Sequence, residues 1–225
     1  MDHDISGIFV SEPECIATGF GFTEGPLWHP QGFLYFVDLR SSKLFKWSPQ
    51  NGVEVLREHT NEGNGITFDL QGRVVMCDAG DGRISREEPD GTRTVVADRW
   101  GDGKRFNKPN DIVGRSDGTL YFTDPAYNDP YWDVDRDKLD LKCGAVFKIS
   151  LDGDVTLVAD DIPFPNGLAL SPDETVMYVA NSFDSRFIQA YDVEPDGSLA
   201  NGRLFGDMNS EEPGVPDGLK VDEAG

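Results

Sequence analysis

The sequence lacks cysteine pairs, long apolar runs and an excess of basic residues, and each absence excludes a class of protein. Its 3 cysteines lie far apart and form no Cys-x-x-Cys motif, which argues against a disulfide framework and a zinc knuckle. No stretch approaches the roughly 18 apolar residues of a membrane-spanning helix. The formal net charge of −21 repels nucleic acid and anionic membranes. We therefore expect neither of them as a partner.

Signals for export and for long helices are also missing. The segment Met1-Asp2-His3-Asp4 has no basic stretch followed by an apolar run, as a secretory signal has. Unpaired thiols suit a reducing compartment, so the expected location is the cytoplasm. The 25 glycines and 14 prolines interrupt every window with helical apolar spacing. The expectation is an all-β fold that forms a single domain over residues 1–225.

A short strand motif that ends in Asp or Asn recurs four times along the chain. Each copy is rich in β-branched and aromatic residues and follows a turn. The copies are 33–38, 73–78, 119–124 and 175–181. Another apolar stretch precedes each turn, and it opens with a polar residue that is usually followed by Gly. We call these five polar residues the openers: Glu24, Asn64, Asn110, Asn166 and Asp217.

The openers mark the starts of repeats with four antiparallel strands each, and their spacing of about 40–56 residues is typical of propeller blades. Four repeats are nearly complete, and a fifth opens at Asp217, shortly before Gly225. A propeller closes into a ring because an open one exposes two sheet edges. The pattern therefore predicts a six-bladed β-propeller, truncated at the C-terminus, with Ile8-Phe9-Val10 as one strand of a closing blade.

The first strand of each propeller blade lines the central channel, so the openers should converge at one mouth of that channel. All five are oxygen donors, which suit a hard cation such as Ca²⁺, with Mg²⁺ or Mn²⁺ as alternatives. Turn chemistry explains any single Asn-Gly or Asp-Gly pair, but five pairs in phase favour a metal site. The residues that end the second strands are expected to form a further acidic ring on this face. They are Asp38, Asp78, Asp124 and Asn181.

Five segments of the chain resemble the SMP-30/gluconolactonase/LRE-like family. They are 22–26, 107–111, 121–124, 164–168 and 216–222. Members of that family are six-bladed propellers with one catalytic divalent cation. The resemblance implies that Glu24, Asn166 and Asp217 are metal ligands, and that Asn110 is a fourth ligand or a substrate contact. Ca²⁺ is favoured, and Mg²⁺, Mn²⁺ and Zn²⁺ remain alternatives.

The resemblance also implies a reaction, the hydrolysis of a small-molecule lactone. A cation can polarise the lactone carbonyl and orient a water, and a carboxylate then removes a proton from that water. The matching position points to Asp217 as the base, with Asp124 as the second candidate. Arg105 and Asn64 are candidate substrate contacts. The alternative for Arg105 is an exposed loop arginine without a role in binding. The alternative for Asn64 is a structural asparagine that lines the channel.

Two other functions remain compatible with the sequence. A related hydrolase could use the same metal site on another ester or a phosphoester, and a non-catalytic propeller could bind Ca²⁺ or a partner protein. The insertion Pro125–Lys142, with Tyr127, Tyr131 and Trp132, is interpreted as a lid or specificity loop. The literal Gly-x-Ser-x-Gly at 114–118 is rejected as a nucleophile motif, because a strand follows it where a helix is needed.

Overall fold

The structure, a computed structural model, describes residues 12–126, 139–183, 185–223 and 225. Two sequence-based interpretations lie outside these residues. They are the closing strand at 8–10 and most of the insertion interpreted as a lid, including Tyr127, Tyr131 and Trp132. Within the described residues all regular elements are strands, and no helix there is long and apolar enough to cross a membrane.

The strands form four sheets of four strands each. The first contains β1 (Thr23–His29), β2 (Phe33–Asp38), β3 (Lys43–Ser48) and β4 (Gly52–Glu58). The second contains β5 (Gly63–Phe68), β6 (Val74–Asp78), β7 (Arg83–Glu87) and β8 (Arg93–Ala97). The third contains β9 (Ile112–Gly114), β10 (Leu120–Asp124), β11 (Ala145–Ile149) and β12 (Val155–Ala159). The fourth contains β13 (Pro165–Leu170), β14 (Val176–Asn181), β15 (Phe187–Val193) and β16 (Leu199–Asp207).

Every sheet is antiparallel with its strands in chain order, which confirms the predicted all-β repeat of four-stranded units. Glycine-containing turns join the strands, and Gly32 and Gly72 adopt positive φ angles of 86° and 73° in two of them. These are conformations that glycine enters without steric cost. The sixfold ring, the truncation and the single domain stay predictions.

The apolar core lies between neighbouring sheets. Val37 and Leu44 of the first sheet pack with Ile66 and Met76 of the second. A larger cluster joins the second and third sheets, and a further one joins the third and fourth. A single blade cannot bury its own apolar faces, so each sheet depends on the next for stability.

Four openers lie where the first strands are irregular. The pairing of β1 with β2 shifts register between Glu24 and Leu27. The same shift follows Gly63 in β5 and Pro165 in β13, and β9 begins only at Ile112, after Asn110. A bulge re-aims the side chain of the residue it contains. At the openers, the side chains therefore depart from the regular strand pattern, in which successive side chains point to opposite faces of the sheet.

Backbone hydrogen bonds connect the openers of neighbouring sheets, and we call them the opener bonds. The Gly65 N–H donates to the Asn110 carbonyl oxygen at 2.7 Å, and the Gly167 N–H donates to the Asp217 carbonyl oxygen at 3.1 Å. The Asn166 carbonyl oxygen accepts instead from the Thr123 hydroxyl at 2.7 Å. Asp217 thus occupies a fifth opener position through its backbone, although the described residues around it form no strand.

We expect Gly65→Ala to destabilise the protein by about 2 kcal/mol or more, because overpacking at a rigid contact forces the backbone to move. A Cβ atom at Gly65 would lie 2.5 Å from Cα of Asp111 and 2.8 Å from the Asn110 carbonyl oxygen. Urea denaturation measures the loss. Gly206→Ala is the control, because its Cβ would meet nothing within 4 Å. Equal midpoints for the two variants would contradict the prediction.

Candidate functional site

Three of the four predicted metal ligands come together at the mouth of the first strands. The side chains of Asn166 and Asp217 share a hydrogen bond, which opposes the rise in the pKa of Asp217 that burial causes. Burial and then the negative charge of Asp217 raise the pKa of Glu24 to about 7. Two carboxylates and an amide therefore face one another, and repulsion between the carboxylates disfavours the ionised pair.

The other two openers of the predicted ring, Asn110 and Asn64, are located by contacts of their backbone atoms. The Asn110 N–H donates to the Thr123 carbonyl oxygen at 2.8 Å, while its own carbonyl accepts the opener bond from Gly65. Both asparagines are buried. A Cβ atom on Gly25 would lie 2.7 Å from the Asn64 carbonyl oxygen, so the first and second sheets meet closely at this opener.

Asp111 and Lys220 belong to the same electrostatic cluster, and the sequence reasoning missed both. Burial raises the pKa of Asp111, while Lys220 and the backbone N–H groups of Ile112 and Leu168 lower it. Both charges also act on Glu24, Asp111 raising its pKa and Lys220 lowering it. The sequence contained one sign that Asp111 differs. It follows the opener Asn110, whereas each of the other openers is followed by glycine.

The expected second acidic ring lies at this end of the sheets, but it does not face the channel. Asp38, Asp78, Asp124 and Asn181 are all almost fully buried. Asp38 accepts hydrogen bonds from the backbone N–H groups of Gly21 and Phe22, at 2.9 and 3.0 Å. Asn181 accepts one from Phe164 at 2.7 Å. Most of these groups anchor the segment that leads into each opener, so the prediction of a doubly acidic face is wrong.

Asp124, the second candidate for the base, follows this structural pattern. Its two carboxylate oxygens accept hydrogen bonds from the backbone N–H groups of Asn107 and Lys108, at 2.8 and 2.7 Å. The side chain is completely buried. Burial raises the pKa of Asp124 to about 7, even though both hydrogen bonds lower it. Both carboxylate oxygens of Asp124 are thus already engaged by backbone N–H groups.

Arg105 is hydrogen-bonded to Asp140 and Asp81. Its backbone N–H donates to Asp140 at 2.8 Å, and its guanidinium reaches the Asp81 carbonyl oxygen at 3.4 Å. The residue is exposed. These contacts favour the alternative of an exposed loop arginine over a direct substrate contact.

No group of three or more His, Cys, Asp or Glu residues in the described part of the chain is arranged to hold a metal ion. The predicted ligand set contains two carboxylates, Glu24 and Asp217, and two amides, Asn110 and Asn166. Its donors are all oxygen atoms, which suits a hard cation. Such a site depends on amide carbonyls as much as on carboxylates.

The sequential four-stranded sheets, with their first strands meeting at one mouth, define a protein of the β-propeller class. The model of the SMP-30/gluconolactonase/LRE-like region matches residues 22–225. The chain belongs to this family, as the resemblance in its sequence indicated.

Individual relatives agree with this assignment. The gluconolactonase of Zymomonas mobilis is 34% identical over 96% of this chain and 66% of its own length. The pentonolactonase XacC of Haloferax volcanii is 28% identical over 90% of this chain and 64% of its own length. A solved gluconolactonase from Xanthomonas campestris is 34% identical, with a TM-score of 0.83 over 93% of this chain and 70% of that one. The chain thus spans about two thirds of the length of these curated relatives.

The pKa of Asp124 leads to a prediction about stability and pH. Because burial raises this pKa from 3.8 to about 7, the folded protein holds a proton that the unfolded chain releases. The stability that Asp124 contributes is therefore lost as the pH rises through this interval. Asparagine at this position cannot titrate. We expect the free energy of unfolding of the wild type, minus that of Asp124→Asn, to fall from pH 3.8 to about pH 7.

Urea denaturation across this pH range measures the difference, and Asp38→Asn is a control of opposite sign. Burial raises the pKa of Asp38, but hydrogen bonds from Gly21, Phe22 and Ser41 outweigh it and hold the pKa below its ordinary value. The wild-type advantage over Asp38→Asn should therefore shrink as the pH falls. A constant difference for Asp124→Asn would contradict the burial argument.

Proposed function

We propose that the protein hydrolyses a lactone ring with the help of one divalent cation, in the manner of a gluconolactonase. The convergence of Glu24, Asn166 and Asp217 at one mouth carries this proposal. It is supported by the match to two lactonases over 96% and 90% of the chain. A propeller that only displays an interaction surface has no need for two carboxylates and an amide in one ring.

The residues present fit a hard cation. Glu24 and Asp217 repel each other when both are ionised, and a divalent cation held between them would remove that repulsion. Glu24, Asn166 and Asp217 would hold it, with Asn110 as a fourth ligand or a substrate contact. Ca²⁺ is favoured by the carboxylate and amide oxygens, and Mg²⁺, Mn²⁺ or Zn²⁺ are alternatives. When bound, the cation would supply Lewis-acid polarisation of the lactone carbonyl.

The proton transfers are assigned to Asp217. Its carboxylate lies beside that of Glu24 and is oriented by the hydrogen bond with Asn166. As general base it takes a proton from water while the water oxygen attacks the carbonyl carbon. The ring C–O bond then breaks, and Asp217 returns the proton to the leaving alkoxide, which gives the open hydroxy acid. Asp124 is the weaker candidate, because both of its oxygens already bind backbone N–H groups.

The remaining site residues are proposed to bind substrate. Asn110 and Asn64 occupy neighbouring opener positions, which supports a role for their amides in binding ring hydroxyls. Arg105 reaches the substrate only if its contacts with Asp81 and Asp140 open. A six-bladed ring, a single domain and a cytoplasmic location belong to the same proposal.

Removal of the cation should abolish activity. We expect chelated full-length protein to hydrolyse D-glucono-1,5-lactone no faster than the uncatalysed reaction, and Ca²⁺, Mg²⁺, Mn²⁺ or Zn²⁺ to restore the rate, because ligand oxygens alone leave the carbonyl unpolarised. A pH-indicator assay with the spontaneous rate subtracted measures this. Lack of a rate with every metal across a panel of lactones, esters and phosphoesters would favour a non-catalytic binding protein. Turnover of only the esters or phosphoesters would favour a related hydrolase.

Substitutions at the mouth should separate the base from the ligands. We expect Asp217→Asn to lower kcat by about 10²–10⁴-fold even at saturating cation, because the general base is lost. Asn166→Ala should weaken cation binding and recover much of its kcat in excess cation. Calorimetric titration gives the cation affinity of each variant. Asp192→Asn, which removes an exposed carboxylate paired with Arg203, should leave both quantities unchanged. Full recovery of Asp217→Asn in excess cation would show that Asp217 is a ligand only.

A further inference from the structure

The residue two positions before each opener lies at the channel mouth, and together these residues form a rim. The hydrogen bonds that Asp38, Asp124 and Asn181 accept fix the backbone at three of these positions. The rim consists of Phe22, Glu62, Lys108, Phe164 and Val215.

The rim is chemically divided. Phe22 and Val215 are 47% and 43% exposed, and Phe164 packs edge-on against Phe183. These residues border the first and fourth sheets and the fifth opener. Across the mouth, at the second and third sheets, Lys108 Nζ lies 2.5 Å from Glu62 Oε2. The rim thus has an apolar part, in which Phe164 is buried, and a charged part formed by Glu62 and Lys108.

Glu62 is held in place by an unusual backbone. Asn61 and Glu62 both have φ angles of 55°, in the left-handed region that residues with a Cβ atom disfavour. The Glu62 N–H donates to the Ser42 hydroxyl at 3.1 Å, and the Asn61 carbonyl accepts from the Gly80 N–H at 2.9 Å. Asn61 Nδ2 also donates to Asp81 at 2.7 Å. These contacts maintain a conformation that brings the Glu62 carboxylate to Lys108.

The pair leaves much of Glu62 accessible. The Glu62 side chain remains 41% exposed, whereas that of Lys108 is 13% exposed. Lys108 thus anchors one carboxylate oxygen, and the exposed remainder of the carboxylate can accept further hydrogen bonds. Asn107 lies on the same side of the mouth. Both polar atoms of its amide are buried and have no hydrogen-bond partner among the described residues.

We propose that Glu62 is a specificity-determining residue that accepts hydrogen bonds from hydroxyl groups of the substrate. This inference rests on the proposed lactonase function and assigns a residue that distinguishes a polyhydroxylated lactone from an unsubstituted one. Hydrogen bonds from hydroxyls to an ionised carboxylate are stronger than those between neutral groups.

The test compares two six-membered lactones with full-length protein in saturating Ca²⁺. Glu62→Gln should raise KM for D-glucono-1,5-lactone by about tenfold, as expected for the loss of a hydrogen bond to a charged group. Its kcat/KM for δ-valerolactone, which lacks hydroxyls, should change less than about twofold, within the variation of surface substitutions. Glu58→Gln is the matched control, because it breaks the exposed ion pair of Glu58 with Lys43 away from the rim.

A structural role gives a different result. If the ion pair with Lys108 only stabilises the fold, Glu62→Gln changes both lactones equally and lowers Tm, and the proposal is overturned. Glu62→Gly provides a second variant, because it removes the carboxylate and also relieves the strained φ angle. It should keep or raise Tm and still lose the preference for the hydroxylated lactone. Retention of that preference would overturn the proposal.

Binding of D-glucono-1,5-lactam, which resists hydrolysis, separates this inference from the proposed reaction. Calorimetry should show about tenfold weaker binding to Glu62→Gln than to the wild type. If the wild type binds the lactam but hydrolyses no lactone, the hydrolase proposal fails while the role of Glu62 is still decided by this comparison. If the wild type binds no lactam, or both proteins bind it equally, the role of Glu62 is overturned.

Discussion

The site depends on one repeated interaction, the contact between the carbonyl of an opener and the sheet before it. Gly65 and Gly167 donate through their backbone to Asn110 and Asp217, and Thr123 donates through its hydroxyl to Asn166. Because the acceptors are backbone atoms, these three bonds leave the opener side chains unused. They remain available at the mouth, where Glu24, Asn166 and Asp217 meet.

Much of the acidity of the chain at this end is structural. Asp38 and Asp124 accept hydrogen bonds from backbone N–H groups of the segments that lead into the openers. Asp78 is buried against Arg83, Arg93 and Ser85. Paired charges in the second sheet therefore replace the backbone contacts used in the first and third. The carboxylates that meet at the mouth are those of Glu24 and Asp217.

The sequence was sufficient to predict the repeat, the four-stranded sheets and the position of each opener, because these follow from local periodicity and turn chemistry. It also led to the correct family through short segments around the openers. It gave a wrong result for the strand ends, since Asp38 and Asp124 look the same in sequence whether they face a channel or a backbone N–H. No local sequence pattern indicates the roles of Asp111, Lys220 and Glu62. Their roles depend on residues that are distant in the sequence.

Asp111 makes the third repeat different from the others. Glu24, Asn64, Asn166 and Asp217 are each followed by glycine, whereas Asn110 is followed by a carboxylate that accepts a hydrogen bond from Leu168 of the fourth sheet. A side chain, rather than the backbone alone, thus contributes to the junction between the third and fourth sheets. The repeats are therefore not interchangeable modules. A blade duplicated or transplanted within this chain would keep its register at the other junctions and lose it at this one.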